Sequence, residues 1–101
     1  MNLADPNLLR SQAYVDGTWV DADSGATLAV RNPADGNILG TVPDLGANET
    51  RRAVAAAETA WSAWRNRTAR DRSLVLRRWF QLILEHQEDL AFIMTREQGK
   101  P

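Results

Sequence analysis

The sequence divides at about Gly46 into two stretches that cannot form the same kind of structure. Five of its six glycines and three of its four prolines fall within residues 1–46. Glycine gives up too much backbone freedom, and proline too much hydrogen bonding, for that half to be helical. What remains open to it is short strands joined by turns. Four runs have β-type composition: Ala13-Tyr14-Val15, Thr18-Trp19-Val20, Thr27-Leu28-Ala29-Val30 and Leu39-Gly40-Thr41-Val42. Asp16-Gly17 separates the first two, and glycine's tolerance of positive φ makes that pair a hairpin turn. Asp23-Ser24-Gly25 and Asn32-Pro33-Ala34-Asp35-Gly36-Asn37 supply two further turns. The predicted architecture of residues 1–46 is a β-hairpin followed by an extended meander.

Residues 47–101 have helical periodicity. An alanine-rich helix is predicted over about 47–65, with Val54, Ala57, Trp61 and Trp64 on one face. A second opens at Thr68, where Asp71 three residues on resembles a capping box. Leu76, Trp79, Phe80, Ile83 and Leu84 share its apolar face, flanked by Val75 and Leu82. So wide an arc implies covering on more than one side. A third helix, about 87–98, has Leu90, Ile93 and Met94 in register and stops at Gly99 and Pro101. The fold class is therefore α+β: hairpin and meander first, then three helices.

Composition narrows the function. A chain of 101 residues suffices for one small domain, and 44% hydrophobic with 25% charged residues is a globular balance. There is no cysteine, which removes disulfides, thiolate metal sites and a cysteine nucleophile from this stretch. The start, Met1-Asn2-Leu3-Ala4-Asp5-Pro6, lacks the basic and apolar parts of a signal peptide. No apolar run approaches the roughly 20 residues of a membrane span. A cytoplasmic location and no membrane partner are expected.

Neither G-x-G-x-x-G nor a P-loop pattern occurs, so no nucleotide-binding loop is expected. His86, the single histidine, falls at the junction of the second and third helices and has no partner in sequence for a metal or base role. Eight arginines lie between Asn48 and Phe80 against Glu49, Glu58 and Asp71. They read as a solvated polar face, with no nucleic-acid partner expected. Trp61 and Trp79 sit on apolar faces, and the four tryptophans are read as core residues.

Taken in order, five motifs resemble the N-terminal part of the aldehyde dehydrogenase family. Tyr14-Val15-Asp16-Gly17-Thr18-Trp19 resembles that family's "I-x-G-x-W" hairpin. Asn32-Pro33-Ala34-Asp35-Gly36 is similar to its "N-P-A-T/N-G" turn, with Leu39-Gly40-Thr41-Val42-Pro43 in the place of the next strand. Ala53-Val54-Ala55-Ala56-Ala57 and Trp64 resemble its alanine-rich helix; Asp71, Arg72 and Leu76 match "E/D-R-x-x-x-L". Glu97-Gln98-Gly99-Lys100-Pro101 matches "E-x-G-K-P". Within the family, Asn7–Ala13, Glu85–Ala91 and Met94–Pro101 are similar to bacterial succinate-semialdehyde dehydrogenases. Glutarate-semialdehyde dehydrogenases look almost the same there.

The resemblance implies a larger α/β subunit of which residues 1–101 form the N-terminal part, 1–46 as hairpin and meander and 47–101 as three helices. It implies oxidation of succinate semialdehyde to succinate, with glutarate semialdehyde or another aldehyde as the alternative. A cysteine thiolate attacks the aldehyde, hydride passes to NAD or NADP, and a glutamate-activated water hydrolyses the thioester. No residue of this chain matches the family's catalytic or cofactor-binding positions. The chain alone is therefore expected to be inactive, its parent a homo-oligomer, and the fragment able to self-associate. The competing reading is a free-standing helical module binding protein or nucleic acid, which salt-sensitive nucleic-acid binding would mark.

One residue carries a site expectation. Leu90, Ile93, Met94 and Glu97 follow i, i+3, i+4, i+7, so the carboxylate continues an apolar stripe, near a helix C-terminus whose dipole disfavours negative charge. Lys100, an arginine or a solvated, frayed end could compensate. The resemblance implies a different partner, a monovalent cation (Na+ or K+) held by Glu97 and the carbonyls of Val30 and Arg31. This requires the end of the third helix to lie against the chain just before Asn32.

Overall fold

The computed structural model describes residues 2–100. A 3-10 turn, Pro6–Leu8, precedes strands β1 (Ala13–Val15), β2 (Thr18–Val20), β3 (Thr27–Arg31) and β4 (Ile38–Pro43). Helices α1 (Ala47–Arg65), α2 (Ala69–Glu85) and α3 (Gln87–Gln98) follow. The predicted class and element order hold. The meander is a second hairpin: β1 pairs only with β2 and β3 only with β4, both antiparallel, in two separate two-stranded sheets.

Local chemistry accounts for each turn. Asp16 and Gly17 both have positive φ, 51° and 78°, the conformation that matches a two-residue turn to the strands' twist. Its register puts Tyr14 opposite Trp19, ring centroids 5.0 Å apart. In the second hairpin Val30 faces Gly40 but Arg31 faces Ile38, so Leu39 is an extra residue and β4 bulges beside the turn.

α2 starts where predicted, with the Thr68 side chain accepting the Asp71 N–H at 3.1 Å. A single residue, His86, ends α2 and precedes α3; its N–H donates to the Leu82 carbonyl, and its own carbonyl accepts the Leu90 N–H. That is the helix-junction role expected of it. α1 is tied to the loop after β2 by polar contacts. The Arg52 guanidinium meets Asp23 at 2.6 Å, and Glu49 accepts the Asp23 N–H at 3.2 Å. Glu49's own N–H and that of Asp23 hold its carboxyl below the usual range.

Two expectations about burial are corrected. Of the face predicted for α1 only Trp64 turns inward, half-buried with Glu49, Ala53 and Ala56, whereas Val54 (62% exposed) and Trp61 (52%) point out. Small alanines let a helix approach its neighbour; the bulkier face has nothing opposite it. The tryptophans are likewise not core, Trp79 being 63% exposed. α2 has no fully buried residue, so the covering on more than one side that its wide apolar arc implies is not supplied within the described residues. Among the described residues no helix is long and apolar enough to cross a membrane.

Candidate functional site at the end of the third helix

The C-terminus of α3 meets the turn between β3 and β4. Gly99 ends the helix in the left-handed conformation, φ 69° and ψ 14°, and donates its N–H to the Thr95 carbonyl at 2.8 Å. A Cβ at this position would lie 2.9 Å from Pro33 Cγ and 3.2 Å from the Ala34 nitrogen. Only glycine allows so close an approach.

The turn itself is rigidly hydrogen-bonded. Asn32 is 6% exposed. Its side-chain oxygen accepts the Ala34 N–H at 2.9 Å and its carbonyl accepts the Gly36 N–H at 2.7 Å. Asn32 donates its own N–H to the Asn37 carbonyl at 2.8 Å, and Asp35 accepts the Asn37 N–H at 2.9 Å. The cation reading required the helix end against the chain just before Asn32; the close contact falls instead on Pro33 and Ala34, just after it.

Glu97 and Val30 line one cavity of about 100 Å³ with Leu9, Arg10, Ser11, Leu39, Gly40, Thr41 and Val42. The third expected member, Arg31, is not among the residues around it. Arg31 sits at the bulge, its guanidinium donating to the Gly36 carbonyl at 3.1 Å. No lysine, arginine or histidine among the described residues lies within 4.0 Å of the Glu97 carboxylate, and the residue is exposed at the helix end, which is the solvated alternative rather than Lys100 or an arginine. Arg10 lines the same cavity, but its guanidinium stacks on the Trp19 ring at 4.2 Å. Among the described residues no three His, Cys, Asp or Glu side chains gather as metal ligands. One carboxylate with backbone oxygens is a donor set for a hard monovalent cation, not for a transition metal.

Two residues to which sequence reasoning gave no site role have notable environments. Asp89 is buried and accepts two N–H groups from the chain's start, Ala4 at 2.9 Å and Asp5 at 2.8 Å. Arg72 is half-buried between the end of α1 and α2, its Nε without an acceptor among the described residues. An acid in a helix's first turn is a visible signal, but a partner 85 residues away is not.

The sequence pattern of the aldehyde dehydrogenase family matches residues 19–101. Over all 101 residues the chain is 60% identical to glutarate-semialdehyde dehydrogenase of Pseudomonas aeruginosa, covering 100% of this chain and 21% of that protein. It is 54% identical to the NADP(+) succinate-semialdehyde dehydrogenase of Escherichia coli, with the same coverage. A solved structure of succinate-semialdehyde dehydrogenase from Burkholderia pseudomallei superposes on 100% of this chain and 21% of its own with a TM-score of 0.97, at 54% identity. The chain thus spans about a fifth of the length of the curated relatives it matches. It belongs to the aldehyde dehydrogenase family.

Proposed function

We propose that this chain is the N-terminal part of a nicotinamide-dependent dehydrogenase that oxidises a small aldehyde carrying a terminal carboxylate. Succinate semialdehyde is the substrate the motifs suggest; glutarate semialdehyde stands beside it because the 60% identical relative is named for it. The carrying observation is identity of 54–60% with two such enzymes along the whole chain. The chain's part is structural: with no cysteine it cannot supply the thiolate that attacks the aldehyde. NAD or NADP would be held by the rest of the subunit. Grafting this chain in place of the corresponding residues of the Escherichia coli relative should give a chimera that reduces NADP+ with succinate semialdehyde. The chain alone should give no turnover. A folded, soluble chimera without activity would refute the assignment. For the substrate, the subunit carrying this chain should have a higher kcat/KM for both semialdehydes than for butanal; the reverse order would refute the acid-aldehyde reading.

A monovalent cation at Glu97, completed by the carbonyls of Val30 and Arg31, belongs to the same proposal. Its support is the shared cavity of Glu97 and Val30, the packing of α3's end on the turn, and the carboxylate's lack of a cationic neighbour. A ligand that binds only the folded chain raises stability by RT ln(1 + [L]/Kd), about 2.7 kcal/mol at a hundredfold excess over Kd. Melting should therefore rise in NaCl or KCl over choline chloride at equal ionic strength, and Glu97→Gln should abolish the difference. Equal melting in all three salts refutes the site.

A further inference from the structure

Asp89 is the one buried charged side chain among the described residues, 9% exposed, and the dehydrogenase reading gives it no task. Its Oδ1 accepts the Ala4 N–H at 2.9 Å and its Oδ2 the Asp5 N–H at 2.8 Å. Two oxygens on two successive N–H groups fix the direction of the segment as well as its position, and charged acceptors make the stronger hydrogen bonds. Just beyond, the Asp5 side chain accepts the Asn7 N–H at 3.1 Å and starts the turn Pro6–Leu8. Leu3, Leu8 and Leu9 are half-buried, and Arg10 lies on Trp19. Leu9, Arg10 and Ser11 then form one wall of the cavity that Glu97 and Val30 line.

The rest of this segment's backbone hydrogen bonding is internal: Leu8 N–H to the Asp5 carbonyl, Leu9 N–H to that of Pro6. Among the described residues, the two bonds to Asp89 are the only ones that join the backbone of residues 2–11 to another element. We propose that residues 2–11 are an arm closing the Glu97 cavity, and that Asp89 on α3 is the latch that holds the arm shut. Without the latch, the arm keeps three half-buried leucines and one exposed guanidinium–ring contact, too little to order a segment of that length against its backbone entropy. The latch rests on the arm's own bonds and is independent of whether Glu97 binds a cation.

The test is amide exchange by NMR on the 15N-labelled chain, with limited trypsin digestion after Arg10 as a second readout. In the parent chain the Ala4 and Asp5 amides should be protected and Arg10 cut slowly. Asp89→Ala should speed exchange at both amides by about tenfold or more, the scale of a charge-assisted hydrogen bond, and speed cleavage, leaving β3 and β4 protected as before. Glu88→Ala, one residue away on the same turn, should change neither. Ala4→Pro removes a donor from the arm without touching α3 and should reproduce the faster cleavage. Three results would overturn the latch: unprotected Ala4 and Asp5 in the parent chain, no effect of either latch variant, or an equal loosening of β3–β4 by Asp89→Ala. The last would make Asp89 a support of the whole fold.

Discussion

Gly99 has two reasons to be glycine, and they can be separated. Its positive φ of 69° alone disfavours a side chain, and a Cβ would also press on Pro33 and the Ala34 backbone. Gly25 has the same conformational demand, φ 75°, with open space around it. Gly25→Ala should cost about 1 kcal/mol, the left-handed penalty. Gly99→Ala should cost about 2–3 kcal/mol because overpacking is added. Equal costs in urea titrations would mean the helix end does not press on the turn. The stop signal was legible in sequence; the contact was not, because nothing local records which loop comes to rest there. Asp89 illustrates the same limit. The N–H groups of Asp5 and then Ala4 hold its carboxyl below the usual carboxylate range, against the opposing effect of burial and with a smaller aid from His86. A carboxyl depressed in the folded state stabilises above its unfolded value of about 3.9, and that stability is lost as pH falls through the lower, folded value. The Ala4 and Asp5 amide shifts should therefore stay constant from pH 7 to pH 5 and move only in more acidic solution. A midpoint above pH 5 would contradict the depressed carboxyl.

Elements were more legible than faces. Each strand lies between turn residues whose backbone needs are visible in sequence, and Thr68 caps α2 where a hydroxyl three residues ahead of an acid says a helix starts. Thr68→Ala should destabilise the fold by about 1 kcal/mol, the ordinary worth of an N-cap, measured as a lower urea midpoint at unchanged slope. An unaffected midpoint would mean that the first turn of α2 is frayed. The facing of α1 was misread for a physical reason. Periodicity reports which side of a helix is apolar, but which side is covered depends on what the chain brings near it. Here Ala53 and Ala56 meet the hairpin side, sharing a cavity with Val15, Thr18 and Val20, while Val54 and Trp61 stay in solvent. The candidate site was legible in the same partial way. The end of α3 was expected against the chain just before Asn32 and presses on Pro33 and Ala34 just after it; the arm that walls the Glu97 cavity, and the turning of Arg31 toward Gly36, lie outside any local pattern.

At the scale of the molecule, the fold is open. Its accessible surface is 7932 Å², where a compact monomer of this mass exposes about 5,700 Å². Its radius of gyration is 16.6 Å, against about 13 Å for a compact domain of 100 residues. The excess area, about 2,200 Å², exceeds what one partner contributes to a standard protein interface, about 800 Å². Much of it is apolar and concentrated on α2, where Leu74, Leu76, Trp79 and Leu84 are each more than half exposed. Contiguous apolar surface on this scale is unusual for a monomer in water. It is what a segment shows when the surfaces made to cover it lie in the four-fifths of its relatives' length that it does not span. Alone in solution, the chain should bind a hydrophobic dye and associate as its concentration rises. Because Leu76 and Trp79 are each more than half exposed, replacing them with aspartate removes little internal packing. The double variant should lower both dye binding and association while keeping the helical circular dichroism, apart from the small propensity cost of two aspartates. A monodisperse parent chain that melts sharply and binds no dye would mean that α2 is covered within this chain in a way its open arrangement does not provide.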